Sequence, residues 1–237
     1  MIFYYVRHGE PIYDPDSLTE YGHRQARALA KRLALYGLDE IYASDSNRAI
    51  QTAQPTCELL KKEAVLLPWA NERLAWNEFV VERDGKRTWL FQDRESVEKM
   101  SSRRMISMWD SFADDEYFDS TNVRSGLARI NAEVDAFFLS LGFRHDREAR
   151  RYELVKPNNK RVALFAHQGF GFVFLSSLLD IPYTVLSTSL DMGHSGVTVI
   201  YFDESDEHVY PRVLQLSNDS HLYKEEILKG YQGILDI

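Results

Sequence analysis

The sequence predicts an α/β fold: three layers, α/β/α, around a mostly parallel central sheet, with a largely helical insertion. Three observations carry this. From Ile2 to Leu67, apolar β-rich runs alternate with amphipathic stretches in the order strand, helix, strand, helix, strand, which builds a parallel sheet with crossover helices. The same texture returns at Val162 and runs towards the carboxyl end. Between about Trp69 and Lys160 it is replaced by aromatic residues scattered among charges. The chain has 237 residues and 44% hydrophobic composition, enough for one substantial domain. Residues 1–237 are therefore read as one unit with an insertion at about 69–160.

Ile2-Phe3-Tyr4-Tyr5-Val6 is aromatic and β-branched and reads as a buried strand ending at Arg7-His8-Gly9. Glu10 to Ser17 contains Pro11 and Pro15 and reads as a loop. A helix begins at Leu18-Thr19-Glu20, carries an apolar stripe through Ala26, Leu29, Ala30, Leu33 and Leu35, and stops at Gly37. Asp39 to Ser44 is a second strand, and Asn47 to Lys62 a helix that Pro55 is expected to kink or delay. Ala64 to Leu67 is a third strand.

In the insertion, Glu95 to Phe112 and Arg124 to Leu141 have helical spacing, and Phe143 to Lys160 is a charged hairpin or loop. Arg150, Arg151, Lys156, Lys160 and Arg161 read as a solvated face. Val162-Ala163-Leu164-Phe165-Ala166 is continuously apolar, so a central buried strand, ending at His167-Gln168-Gly169. Phe170 to Leu179 is an apolar helix, Val197 to Phe202 a strand, and His208 to Leu216 a further strand.

Composition excludes several classes. The net charge of -8 argues against a basic nucleic-acid-binding face. The single cysteine, Cys57, reads as a small buried residue on a helix and permits no intrachain disulfide. No basic, apolar and cleavage-site pattern opens the chain, and no apolar run approaches a membrane span. A cytoplasmic protein with no membrane or nucleic-acid partner is the expectation; the oligomeric state is open.

The chemistry converges at one predicted sheet edge. The first strand ends in Arg7 and His8, the second in Ser44 leading to Arg48, and the central strand in His167. Ligands bind at such carboxyl ends in open α/β sheets. Arginine offers a planar fork of donors that matches phosphate oxygens, and imidazole can attack phosphorus. A metal site is the competing reading of two histidines. It is weakened by the arginines, which repel cations, and by the absence of a matching ligand set. No cofactor and no metal are expected.

These residues resemble the histidine phosphatase superfamily, the phosphoglycerate-mutase-like family, in its branch 1. The resemblance rests on Arg7-His8-Gly9-Glu10, on Leu18 to Ala26, on Ser44-Asp45-Ser46-Asn47-Arg48-Ala49-Ile50-Gln51-Thr52-Ala53, on Ala166-His167-Gln168-Gly169 and on Leu216 to Leu222, in the family's order. It implies a phosphoglycerate-mutase-like fold, with His8 as phosphorylated nucleophile and Arg7, Arg48 and His167 on the phosphoryl oxygens. It also implies an acid that protonates the leaving group; Glu72 matches best and Glu78 is the rival. His194, in Gly193-His194-Ser195-Gly196, is a candidate substrate contact or a turn residue. His23, His145 and His208 read as surface or structural, and His221 as structural.

The sequence departs from the family just after the first motif. Pro11 and Asp14 stand where many members have a small hydroxyl residue and an asparagine, and an ionised Asp14 pointing inward would repel phosphate. The implied activity is metal-independent hydrolysis of phosphomonoesters, small molecules or phosphopeptides, through a phosphohistidine on His8. Two alternatives stand beside it: phosphoryl transfer of the phosphoglycerate mutase type, and a weakly active or inactive phosphate-binding regulatory protein. The glycolytic mutases' arginine-rich insertion is not found here, which favours hydrolysis.

Overall fold

The computed structural model describes residues 1–227. Residues 228–237 of the predicted unit lie outside the described residues. The first strand, β1 (Ile2–Arg7), alternates its side chains between two apolar layers. Phe3 and Tyr5 join one core, Tyr4 and Val6 the other, as the two-residue strand period requires. Burying an aromatic side chain of this kind contributes about 2 kcal/mol.

The segment read as a loop is a small hairpin, β2 (Pro11–Tyr13) against β3 (Asp16–Leu18). Helix α1 (Glu20–Tyr36) starts where the Thr19 hydroxyl accepts the Gly22 amide at 2.9 Å, and ends at Gly37, whose φ of 69° suits glycine. Strand β4 (Glu40–Ser44), helix α2 (Asn47–Leu60) and strand β5 (Val65–Leu67) follow as expected, and α2 continues through Pro55. Cys57 is partly buried, packed against the edge of the core.

The insertion holds α3 (Glu72–Glu78), the hairpin β6 (Val80–Arg83) and β7 (Lys86–Trp89), α4 (Arg94–Met100), α5 (Arg103–Ser107), α6 (Val123–Ser140), β8 (Phe143–Asp146) and β9 (Arg151–Leu154). It is less helical than its spacing predicts. The β6–β7 turn is Asp84-Gly85, both at positive φ, an Asp-Gly hairpin signal that the scattered aromatics obscure. The helix read over 95–112 is broken into two, because Ser102 caps a new start by accepting the Met105 amide at 3.3 Å.

Strand β10 (Arg161–Ala166) leads into α7 (Gln168–Leu179), then α8 (Tyr183–Ser189), β11 (Val197–Tyr201), β12 (His208–Val209), β13 (Arg212–Asn218) and α9 (Ser220–Lys224). The single strand expected over His208–Leu216 is two. Strand β12 pairs with β9 in one sheet and β13 with β11 in another. Pro211 stands between them and has no amide to continue a ladder.

The central sheet runs β13-β11-β1-β10-β4-β5. Strands β1, β10, β4 and β5 are parallel, while β11 runs antiparallel to both its neighbours, β1 and β13. Phe137 and Phe138 of α6 press onto Phe3, with ring centroids 6.2 and 5.3 Å apart. The insertion thus covers the Phe3 face, and α1 and α2 supply Leu29, Leu33 and Ala53 to the other. No helix among the described residues is long and apolar enough to cross a membrane.

Candidate active site

Strands β1 and β10 are adjacent and in register, Arg7 opposite Ala166. Their next residues, His8 and His167, therefore emerge side by side with ring centroids 5.2 Å apart. The backbone fixes both. The His8 amide donates to the Ala166 carbonyl at 2.9 Å, and the His8 carbonyl accepts from the Ser195 amide at 3.0 Å. The Tyr5 hydroxyl donates to the His167 carbonyl at 2.6 Å and accepts from the His167 amide at 3.3 Å. Gly9 lets the chain pass directly over α1: a Cβ there would sit 2.8 Å from the Gly22 carbonyl oxygen.

His8 is buried and its Nδ1 lies 2.7 Å from the carbonyl oxygen of Gly9. A carbonyl only accepts, so Nδ1 carries the proton and Nε2 keeps its lone pair. Burial pushes the His8 imidazole well below its usual range, and His167, Arg7 and Arg48 push in the same direction. Burial, Arg48 and Arg7 do the same to His167. Both rings are held neutral. His167 Nε2 meets the Ser44 hydroxyl at 2.8 Å and the Ser46 hydroxyl at 3.3 Å.

Arg7 is buried, donates to the Met192 carbonyl and lies 2.9 Å from His194 Nε2. His194 is thus brought to the site, its ring 5.7 Å from that of His8. It sits in a tight turn in which the Gly196 amide donates to the Gly193 carbonyl at 2.9 Å and Ser195 has a φ of 58°. The carboxyl-end segment holds that turn. Ser217 Oγ accepts the Gly193 amide at 2.7 Å, and His221 Nε2 lies 2.9 Å from Ser195 Oγ. His221 is structural, as expected.

Glu72 and Glu78 separate cleanly. Glu72 Oε1 accepts the Gly169 amide at 2.7 Å and the Phe170 amide at 3.4 Å, at the amino end of α7, where a carboxylate is favoured. Its Oε2 lies 3.4 Å from Arg48 Nη2 and 3.5 Å from His167 Nδ1. Glu78 forms a two-pronged pair with Arg129 of α6, at 2.7 and 2.6 Å, away from the histidines. His145 is not on the surface: it is clamped between Asp135 and Asp180, both at 2.9 Å.

Asp14 lies at the exposed hairpin turn. The carboxylate that enters the site is Asp16, which the sequence reading missed. Its Oδ1 accepts from Arg48 Nη1 at 2.7 Å and its Oδ2 from the Asn47 amide, the first of α2, at 2.8 Å. Tyr13 lies over the Arg48 guanidinium, 5.6 Å from ring centre to Cζ. The period of β3 gave the available signal: with Leu18 buried, Asp16 shares its side of the strand. A cavity of about 630 Å³ opens beside Arg48 and Glu72, and Tyr13, Trp76 and Trp89 also line it.

Donor atoms of His8, Glu72 and His167 lie within 4.8 Å of one another, a spacing that a metal ion could bridge. The fixed charge of Arg7 and Arg48 opposes a cation there and suits an anion. The two guanidinium groups offer forked donors, so the arrangement fits a tetrahedral oxyanion.

Residues 3–106 match the model of the histidine phosphatase superfamily (branch 1). No curated protein matches the chain significantly. Among solved structures, the phosphoserine phosphatase of Entamoeba histolytica is similar, with a TM-score of 0.59, 17% identity, and coverage of 93% of this chain and 98% of that one. The alpha-ribazole phosphatase of Shigella flexneri has a TM-score of 0.58 at 15% identity, covering 92% and 97%. A mycobacterial glucosyl-3-phosphoglycerate phosphatase has a TM-score of 0.56 at 18% identity, covering 90% and 97%. Over residues 3–106 the chain thus matches the histidine phosphatase superfamily (branch 1), and its fold is shared with these phosphatases.

Proposed function

We propose that the protein is a phosphatase that hydrolyses phosphomonoesters through a phosphohistidine on His8, without a metal ion. The observation that carries this is the His8 ring: Nδ1 is tied to the Gly9 carbonyl at 2.7 Å, which leaves Nε2 as the nucleophile beside Arg7, Arg48 and His167. In the first step Nε2 attacks phosphorus, the bond to the leaving oxygen breaks, and Glu72 passes a proton to that oxygen. Water then attacks phosphorus as Glu72 takes one of its protons, the phosphorus–nitrogen bond breaks, and phosphate departs. Arg7, Arg48 and His167 stabilise the charge on the transferring group in both steps. His194 contacts the substrate beside Arg7.

The structural relatives support the reading. The Entamoeba phosphoserine phosphatase forms complexes with phosphoserine and with 3-phosphoglyceric acid, and the mycobacterial enzyme with the vanadium oxyanion VO3. The substrate is accordingly a phosphorylated small molecule. The cavity beside Glu72 gives water access to the second step, which favours hydrolysis over transfer to another hydroxyl.

His8→Ala is expected to abolish release of phosphate from a generic aryl phosphate while the thermal melt stays near that of the parent. Chelation with EDTA is expected to leave the parent's turnover unchanged. Retained turnover in the His8 variant removes His8 from this role.

A further inference from the structure

The cavity beside Glu72 has an unusual division of labour. Its three carboxylates are already held by other groups. Asp16 is held by Arg48 and the Asn47 amide. Asp45 accepts from Asn71 Nδ2 at 2.6 Å, and Asn71 Oδ1 accepts the Arg73 amide at 2.9 Å. Glu72 is held by the amides that open α7. Apart from the exposed Arg73 and Asn47 side chains, a leaving group rich in hydroxyls would find few unspent partners. What the cavity offers instead is ring surface.

That surface is fixed from behind. Trp76 meets Trp89 edge to face, with centroids 4.9 Å apart and an interplanar angle of 80°. Trp89 stacks on Phe91 at 5.4 Å, and Phe91 packs on Phe172 of α7 at 5.0 Å. Trp89 also lies directly on Gly169: a Cβ there would stand 2.6 Å from the indole ring. The same glycine gives its amide to Glu72 at 2.7 Å. The aromatic wall and the acid are therefore anchored at one residue of α7. Tyr13 lines the same cavity from the β2–β3 hairpin. The volume of about 630 Å³ suits a ligand with a ring attached to its phosphate.

We propose that this cavity selects phosphomonoesters whose leaving group carries an aromatic ring, seated against Trp76 and Trp89. The proposal rests on the hydrolytic reading of the site and names its substrate class. Ring-on-ring contact of this kind is worth a factor of about ten in selectivity.

The test compares benzyl phosphate with propyl phosphate, both esters of alkyl alcohols, so that leaving-group acidity contributes little to the difference. The parent protein is expected to show a benzyl-to-propyl ratio of kcat/KM of about ten or more. Trp76→Ala should bring that ratio towards one, and Trp76→Phe should restore most of it. Equal kcat/KM for the two esters in the parent overturns the proposal, as does a Trp76→Ala variant that lowers both equally. Selective loss for propyl phosphate also overturns it. If neither ester nor any member of a panel of phosphomonoesters is hydrolysed by folded parent protein, the hydrolytic reading itself fails, and this inference fails with it. A lack of preference with hydrolysis intact defeats the inference alone.

Discussion

The two sides of the site are built differently. On one side, Arg7, His8 and His167 stand at the ends of adjacent buried strands, each less than a tenth exposed and tied through its own backbone. On the other, Tyr13 and Asp16 come from a three-residue-per-strand hairpin, and Trp76 and Trp89 from the insertion. Tyr13 is 69% exposed. The sheet edge has a fixed geometry because moving it would break ladder bonds in the core. The facing side is held by side-chain bonds and ring packing, which can be altered without disturbing the strands. In the proposed function, the chemistry sits on the part that cannot shift, and selection among substrates on the part that can.

Glu72 is where the two sides meet, so its substitution gives the largest effect after loss of His8. Glu72→Gln keeps an oxygen for the Gly169 amide and removes proton transfer. Turnover of an alkyl phosphate should fall by about 10²- to 10⁴-fold. Turnover of a nitrophenyl phosphate, whose leaving group needs less protonation, should fall less in the first step, seen as a burst of nitrophenol. An equal loss for both esters with no burst would make Glu72 only a structural cap on α7.

Asp16→Asn probes the hairpin side alone. The amide keeps one oxygen, enough to accept from either the Asn47 amide or Arg48, and one negative charge next to the guanidinium proposed to bind phosphate is removed. Inorganic phosphate should then inhibit several-fold more tightly at low salt, an effect on the order of 1 kcal/mol. Unchanged inhibition would show that Asp16 does not compete with the anion for Arg48.

The smallest effect on activity, and a distinct one on stability, belongs to His221. Burial, helped by Arg32, lowers its pKa from 6.5 to about 3. The unfolded chain therefore binds a proton that the fold refuses. Its stabilising contribution is complete above pH 6.5 and is lost as the pH falls towards 3, at about 1.4 kcal/mol per pH unit. Denaturation of His221→Gln across this range should show a shallower loss by one proton. The same slope as the parent would mean that His221 does not carry the acid sensitivity.

The same contrast explains what was legible in the sequence. The sheet edge could be read because strands such as Ile2–Val6 and Val162–Ala166 are continuous apolar runs, and a residue that ends such a run has a defined place. His8, Arg48 and His167 could be assigned to one edge on that ground. The facing side could not. Asp16 reaches Arg48 only because the chain between Pro11 and Leu18 folds back on itself, and nothing in the local composition separates Asp16 from Asp14. The β6–β7 hairpin carried an Asp-Gly signal, yet the position of Trp89 against Gly169 depends on the distant helix α7. Pro211 marked the break between β12 and β13, while their division between two sheets is a tertiary outcome.

The hydrogen bond between His8 Nδ1 and the Gly9 carbonyl makes the central claim specific to one atom. The direct measurement is to quench the protein during turnover of a labelled phosphomonoester, digest it under alkaline conditions, and map the phosphate by mass spectrometry and phosphorus NMR. The account predicts acid-labile phosphate on His8, attached at Nε2. Phosphate on Nδ1 of His8, on His167 or His194, or turnover with no phosphohistidine under conditions that trap one in a known histidine phosphatase, would contradict it.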